Sequence, residues 1–379
     1  MRIVVLGAGR VGNAIARDLA EHQGWEVTVA DSSPDALGRL SGAAGVRVVE
    51  ADLSRPEVVA ATVDGHDLAV GAVPGPMGYA TLRSVIEAGV NTVDISFFEQ
   101  DPFELNKVAT RRGVVAVVDC GVAPGLSNMI LGHCEATWDE VESFSCWVGG
   151  LPVVRHWPYE YRSVFSPIDV IAEYTRPARL VVNGHVVSRP ALSELELLDL
   201  PAVGTLEAFN TDGLRTLLRT STVPTMKEKT MRYPGHAEMM RMLRDSGFFA
   251  ERPLEVAGVR VRPLDVTARL LADAWQPSEG EEDITVMRVE VEGTVAGAAV
   301  RHRWDLVDRY DRERGVSSMA RTTGYTCTAA VNALASGLHR QPGVVPPEDL
   351  GRNQACFDSI ISYLAARGVV LTHAVEEVA

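Results

Sequence analysis

Within KTMRYPGHAE, a lysine, an arginine and a histidine gather around a Pro-Gly turn. A guanidinium stays charged and forks onto carboxylates, while an imidazole exchanges protons near neutral pH. Lys229, Arg232 and His236 are therefore candidates for a site that holds a carboxylate and moves a proton, with Arg232 as clamp and His236 as shuttle. Two aspartates, Asp94 in GVNTVDIS and Asp119 in GVVAVVDCGVAPG, each close an apolar run. Such runs read as buried strands, and the carboxyl ends of parallel strands face the ligand crevice. Either aspartate could hold an amine or act as a base there; the alternative is that each caps a helix or turn. Arg321 and Thr322 stand in MARTTGYT at the expected start of a helix, where backbone N–H groups attract anions. For Arg321 the alternative is a salt bridge between domains. In WPYEYRS, Trp157, Tyr159 and Tyr161 could line an alkyl-amine pocket with Glu160 pairing the ammonium, or pack as core and interface. Cys120 reads as a small core residue rather than a nucleophile.

These groups need elements to position them, and the amino-terminal stretch MRIVVLGAGRVGNAIARDLAEHQGWEVTVAD supplies the first. Ile3 to Leu6 is a fully apolar run of the parallel-strand kind. Gly7 permits a tight turn, Gly9 lets backbone approach a pyrophosphate at the start of the helix carrying Arg10 and Val11, and Gly12 lets that helix pack close to the sheet. A second strand ends at Asp31, 19 residues after Gly12. A carboxylate there accepts hydrogen bonds from ribose hydroxyls and repels a 2'-phosphate, so the expected cofactor is NAD in preference to NADP. VRVVEADLS is a third strand running into Asp52 and Leu53; Asp52 would meet the adenine end of the cofactor or cap a helix. DLAVGAVPGP is a fourth, ending in a Gly/Pro loop from Gly71 to Gly78 whose Val73 and Pro74 would lie near the nicotinamide. With the strands ending at Asp94 and Asp119, six strands and intervening helices make an α/β Rossmann domain, a doubly wound parallel sheet.

After Pro124 the pattern changes. ITVMRVEVEG and AVRHRWDLVDRYD alternate apolar and polar residues, as an antiparallel pair with one wet face should. The middle of the chain reads as an inserted α+β domain on a mixed or antiparallel sheet. ARTTGYTCTAAVNALASG is a helix beginning at Thr322 or Thr323 and ending at Gly337. ACFDSIISYLAARGVVLT is a helix, a glycine and an apolar strand that returns to the first sheet. The expected division is 1–122, 123–322 and 323–379.

The chain has 379 residues, too many for one ordinary core, and a formal charge of −14, which disfavours nucleic acid and anionic membranes as partners and mildly favours a cationic substrate. No apolar run spans a bilayer. Five scattered cysteines without a CxxC suit reduced thiols in the cytoplasm and no metal site.

Taken together, DCGVAPGLSNMI, WVGGLP, LEAFNTDG, KTMRYPGHAE and MARTTGYT resemble the saccharopine dehydrogenase-like family over essentially the whole chain, and within it the lysine 6-dehydrogenase branch. The resemblance implies a Rossmann domain with an inserted catalytic domain, NAD, a small amino-acid substrate and a homodimer or homotetramer. It also implies oxidation of the lysine side-chain amine to 2-aminoadipate 6-semialdehyde, which cyclises to a piperideine carboxylate, with release of ammonia. Where the family pattern has a histidine and a Ser/Gly-rich turn after LEAF, this chain has Asn210, Thr211, Asp212 and Gly213; if that turn touches substrate, the substrate is an analogue of lysine. Two other readings stand beside this one. A saccharopine-type enzyme, joining or splitting lysine-derived and glutamate carbons, needs more cations than Arg232, Arg321 and Arg215 supply. A non-catalytic NAD-binding regulator would need no polar cluster of this kind.

Overall fold

The structure is a computed structural model that describes residues 1–377. The chain divides into two compact units, Met1–Thr137 with Ala320–Val369, and Trp138–Met319 with the segment from Val370 onward. Strands are numbered along the chain. The first unit holds β1 (Arg2–Leu6), β2 (Glu26–Asp31), β3 (Val46–Glu50), β4 (Leu68–Gly71), β5 (Asn91–Asp94), β6 (Val115–Val117) and β17 (Gly343–Val345). All pair in parallel, in the order β17-β6-β5-β4-β1-β2-β3. β1 to β6 thus have the Rossmann order, with its switch point between β1 and β4. β1 is buried on both faces, as parallel strands covered by helices must be. The helix Arg10–Ala20 turns Val11, Ile15 and Leu19 inward at helical spacing.

That helix also buries an acid. Asp18 accepts hydrogen bonds from Thr328 Oγ1 (2.5 Å), Tyr363 Oη (2.8 Å) and Arg367 Nε (2.5 Å), and the Arg367 guanidinium lies 3.4 Å over the Tyr363 ring. Both its charge and its lone pairs are therefore answered, as a buried carboxylate requires.

The second unit holds β7 (Glu140–Pro152), β8 (Ala178–Val182), β9 (His185–Arg189), β10 (Glu196–Leu200), β11 (Gly204–Asn210), β12 (Thr225–Arg232), β15 (Asp283–Val295), β16 (Ala298–Arg309) and β18 (Leu371–Glu377). Their main order is β10-β11-β12-β7-β15-β16-β18, with β8 and β9 joined at β12. β12 and β7 pair in parallel and the other pairs are antiparallel, so the sheet is mixed. The hairpin of β13 (Leu254–Val256) and β14 (Val259–Val261) forms a separate two-stranded sheet. β15 and β16 are the antiparallel pair expected from their alternation.

Three expectations need correction. The strand after the last helix does not rejoin the first sheet: Leu371–Glu377 pairs with β16, where its largely exposed residues suit an edge. The strand that does return is Gly343–Val345, a short buried run between Pro342 and Pro346. The two compact units meet along the chain after Thr137, Met319 and Val369. Gly71–Gly78 is not one loop, because β4 ends at Gly71 and a helix starts at Gly75 with a proline in its first turn, where no N–H is needed. Nor does the late helix begin at Thr322. It begins at Ser318, whose N–H and that of Met319 are taken by the Asp283 carboxylate at 2.6 and 2.9 Å. Arg321 and Thr322 therefore lie inside the helix and gain nothing from orphan N–H groups.

Candidate active site

In the first unit the glycine turn is built as its sequence requires. Gly7 has φ +114°, and a Cβ there would meet Ala72 O at 2.4 Å; a Cβ on Gly12 would meet Gly7 O at 2.0 Å. Around Gly9, which precedes the helix, a Cβ would find nothing within 4 Å, so the backbone has an open face. Asp31 closes the turn: its Oδ2 accepts from Ala8 N at 2.7 Å and its Oδ1 from Ser33 N at 2.8 Å. Each oxygen keeps acceptor capacity for a diol. An exposed helix N-terminus, an unobstructed glycine and a fixed carboxylate fit a dinucleotide. Arg10 is half-buried beside this turn and Val11 is buried.

Other expected cofactor residues sit differently. Asp52 is exposed and folds into its own turn, its Oδ1 accepting from Ser54 N (3.1 Å) and Ser54 Oγ (2.6 Å), which hold its pKa low. It caps no helix, since the next one starts at Pro56 behind Arg55. The Leu53 and Val73 side chains belong to the core with Leu6, Ala30 and Val59. Pro74 is exposed, just before the helix Gly75–Ala88.

Asp94 and Asp119 come together at the carboxyl edge of β5 and β6, where Cys120 N donates to Asp94 O at 3.0 Å. Both are buried. Asp94 Oδ1 accepts from Ser96 N at 2.7 Å, and a Cβ on Gly71 would come within 1.8 Å of Asp94 Oδ2, so the neighbouring strand needs glycine there. Asp119 has φ 49°, a left-handed conformation uncommon outside glycine. Burial, then the charges of Asp119 and Asp94, push the Cys120 thiol well up, consistent with packing rather than nucleophilic attack.

The second unit separates residues that the sequence placed together. β12 has a period of two, so Glu228, Thr230 and Arg232 share one face while Lys229 points to the other. Lys229 Nζ donates to Glu194 O (2.5 Å) and pairs with Glu196 (3.1 Å), whose carboxylate also takes Trp147 Nε1 (2.6 Å). Lys229 thus leaves the Arg232 cluster.

Arg232 is buried. Its NH2 donates to Glu173 Oε2 (2.9 Å) and Tyr161 Oη (3.4 Å), its NH1 to Met231 O (2.9 Å), and its plane lies 4.5 Å from the Tyr161 ring centre. His236 begins the helix His236–Asp245, whose first N–H groups are capped by Glu207 through Gly235 N (3.2 Å) and Ala237 N (2.8 Å). Its Nδ1 lies 3.0 Å from Tyr159 O, which can only accept, so Nδ1 carries the proton and Nε2 accepts from Tyr174 Oη at 3.0 Å. Burial and the Arg232 charge pull its pKa down to about 3. Both ring nitrogens of His236 are engaged, and they tie it to Tyr174 and to the backbone of Tyr159.

The departing turn fastens this face. Thr211 Oγ1 donates to Glu228 Oε2 (2.7 Å) and meets Thr230 Oγ1 (2.9 Å); Asp212 takes Arg179 Nε and NH2, both at 2.8 Å. A Cβ on Gly213 would lie 2.1 Å from the Glu228 carboxyl carbon, so the turn closes over that acid. Burial raises Glu228 to about 8, against the lowering effect of the Thr211 hydrogen bond. Glu173 had no signal in a short sequence window, whereas Glu228 had one, since a two-residue period through KEKTMR puts it on the face of Arg232.

Of the remaining candidates, Arg321 is buried and donates to Arg367 O at 2.6 Å, and Thr322 is fully buried. Trp157 is 83% exposed, Glu160 pairs with Arg155 at 2.5 Å, and Tyr161 lies in an aromatic core with Tyr174, Phe209 and Trp275, against which Tyr159 packs. Among the described residues, no three His, Cys, Asp or Glu side chains gather as a metal site, and no helix is long and apolar enough to cross a membrane.

A glycine cradle at the head of a 3-2-1-4-5-6 parallel sheet defines a dinucleotide-binding domain of the Rossmann class. Residues 3–117 match the family profile described as the saccharopine dehydrogenase NADP binding domain, and residues 121–369 the saccharopine dehydrogenase C-terminal domain. The chain belongs to the saccharopine dehydrogenase family. It is 21% identical to saccharopine dehydrogenase [NADP(+), L-glutamate-forming] of Schizosaccharomyces pombe, over 97% of this chain and 98% of that protein. It is 25% identical to the mitochondrial alpha-aminoadipic semialdehyde synthase of Mus musculus over 63% of this chain, but over only 27% of that longer protein. The fold is that of the apo saccharopine dehydrogenase (L-Glu forming) from Saccharomyces cerevisiae, with a TM-score of 0.79 over 99% of both chains at 18% identity.

Proposed function

We propose that this chain oxidises the side-chain amine of L-lysine, or of a close analogue, with NAD, giving 2-aminoadipate 6-semialdehyde and ammonia. The observation that carries the cofactor assignment is Asp31, held in the glycine turn by Ala8 N and Ser33 N where a 2'-phosphate would meet its charge. This sets the chain against the NADP of its relatives' names. Those names, for a saccharopine dehydrogenase and an aminoadipic semialdehyde synthase, support an amine on a six-carbon amino acid as the reacting group.

Bound NAD supplies the hydride acceptor. The substrate ammonium first gives up a proton, since hydride leaves a carbon that bears a neutral amine. The product is an iminium; water adds to it, and aldehyde and ammonium leave. With His236 neutral and doubly bonded, the proton acceptor falls to the buried pair Asp94 and Asp119. The chain is read as a cytoplasmic homodimer or homotetramer.

The test is a panel of lysine, saccharopine and related amines with NAD and NADP, following reduced cofactor and assaying ammonia and glutamate. Lysine with NAD should yield ammonia in step with reduced cofactor. Glutamate from saccharopine with NADP, and no turnover of lysine, would replace this reading with the saccharopine-type one that the relatives' names favour. Asp31→Ser should relax the rejection of NADP; a wild-type preference for NADP would remove Asp31 from the selecting role.

A further inference from the structure

His302 and His373 meet on β16 and β18, at one end of the second unit's sheet. Antiparallel pairing sets His373 opposite Trp304 and His302 opposite Val375, so both imidazoles and Trp304 share one face. His302 Nδ1 and His373 Nε2 lie 3.0 Å apart. The ring centres are only 4.9 Å apart, less than that contact plus two ring radii. The lone-pair axes of the two nitrogens are therefore bent from a straight line, as two ligands of one ion require. Aromatic neighbours hold both rings. Trp304 stacks on His373 with centres 4.5 Å apart and planes 5° from parallel, and Trp138 meets the His302 ring edge-on at 4.6 Å. The cations beside them face away: Arg301 and Arg303 alternate onto the opposite face, where Glu292, Asp305 and Glu376 pair with them. His373 is exposed on the edge strand, so water reaches the pair.

The distance selects the ion. Imidazole nitrogens bind transition metals at about 2.0–2.1 Å, so two of them 3.0 Å apart subtend about 90–100° at the metal. That is the cis angle of a tetragonal ion such as Cu(II) or Ni(II), whereas a tetrahedral ion needs its nitrogens about 3.3 Å apart. We propose that His302 Nδ1 and His373 Nε2 form a two-imidazole site for a divalent transition-metal ion of the Cu(II) and Ni(II) class, and that the bound ion clips β18 to β16. In the hydrogen-bonded pair, one facing nitrogen carries a proton and the other accepts it. Ligation uses both lone pairs, so that proton moves to the far nitrogen of its own ring and a neutral pair loses none. Water fills the other coordination positions. Each strand contributes one ligand, so the ion adds a cross-link to the backbone pairing and stabilises the folded unit by mass action.

Metal titration of the untagged full chain tests this. Calorimetry should find a site that takes Cu(II) most tightly, then Ni(II), then Zn(II). His302→Ala and His373→Ala should each weaken Ni(II) at least ten-fold, and so should His373→Gln, which keeps a polar side chain beside His302 but offers no imidazole. Cu(II) should quench tryptophan emission in the wild-type chain, through Trp304 and Trp138 beside the two rings, and much less in the variants. Saturating Ni(II) should raise the melting temperature of the wild-type chain and leave that of His373→Gln unmoved. A measurement on the wild-type chain alone keeps the question open to test where a variant folds poorly: Ni(II) should protect His302 and His373 from diethyl pyrocarbonate, with the modified residues located by mass spectrometry. Ni(II) affinity unchanged in all three variants, or both histidines modified equally fast with and without Ni(II), would refute the site. A tighter hold on Zn(II) than on Ni(II) would overturn the assignment of the ion. Binding at these histidines without a rise in melting temperature would refute the clip.

Discussion

Asp31 and Arg232 both end a strand, yet their partners are of different kinds. Asp31 is fixed by two backbone N–H groups, from residues 23 positions before it and 2 after it. Arg232 is fixed by side chains and an aromatic face, from residues 59 and 71 positions away. The first arrangement is written into one turn and depends on backbone shape. The second exists only once a helix, an extended segment and a strand have packed. A site of the first kind should fail through steric substitution of glycine, and one of the second kind through loss of a single partner.

The largest effect expected from this contrast is at Gly12. Gly12→Ala drives a Cβ against the Gly7 carbonyl, so it should both destabilise the first unit, by about 1–3 kcal/mol or more, and abolish dinucleotide binding by fluorescence titration. Gly9→Ala is the contrasting change: the space around it is open, so melting temperature should hold while affinity falls. Equal losses of stability at both positions would break the comparison.

Arg232→Ala comes next. It leaves Glu173 without its cation and Tyr161 without its stacked partner, and should cost about 3–5 kcal/mol in denaturant unfolding, with Arg232→Lys costing less. A loss under about 1 kcal/mol would mean the pair behaves as a surface salt bridge.

The third prediction concerns pH. Unfolded His236 binds a proton near pH 6.5 that the folded ring refuses down to about 3, so its contribution to stability rises with pH across that window and is complete above it. Folded Glu228 keeps its proton up to about 8, whereas the unfolded acid releases it near 4.5, so its contribution falls as pH rises between those values. Between about 4.5 and 6.5 the two trends offset. Glu228→Gln keeps an acceptor for Thr211 and removes the titration. Relative to this variant, wild type should lose stability from pH 5 to 8, at up to about 1.4 kcal/mol per unit; parallel curves would show that Glu228 is ionised in the fold. Asp52→Ala should have the smallest effect, with no measurable shift of the unfolding midpoint, because its turn is exposed. It should leave cofactor affinity unchanged.

The same contrast explains what could be read from the chain. The turn built by Gly7, Gly12 and Asp31 was legible because it follows from local geometry. Arg232, Lys229 and His236 looked like one cluster because they are close in sequence. A strict two-residue period through KEKTMR already places Lys229 on the opposite face from Arg232. The start of the late helix was also legible in the serines before Met319, but its partner Asp283, 35 residues upstream of Ser318, was not. Glu173 had no local signal at all: it lies 59 residues before the arginine it meets. The return strand was hidden by its length of three residues and by a proline on either side.

The buried Asp18 has a consequence in time. Its helix is made early on the ribosome, but Thr328, Tyr363 and Arg367 lie 310, 345 and 349 residues later. At about 5–20 residues per second, the amino-terminal sheet waits roughly 15–70 seconds for the groups that neutralise this acid. β6 waits about two thirds as long for β17, with its hydrogen-bonding edge open. The nascent first unit is therefore a half-sheet with an unanswered charge on one helix and an unpaired strand at one edge, a form that chaperones would hold and that truncation from the carboxyl end would make permanent.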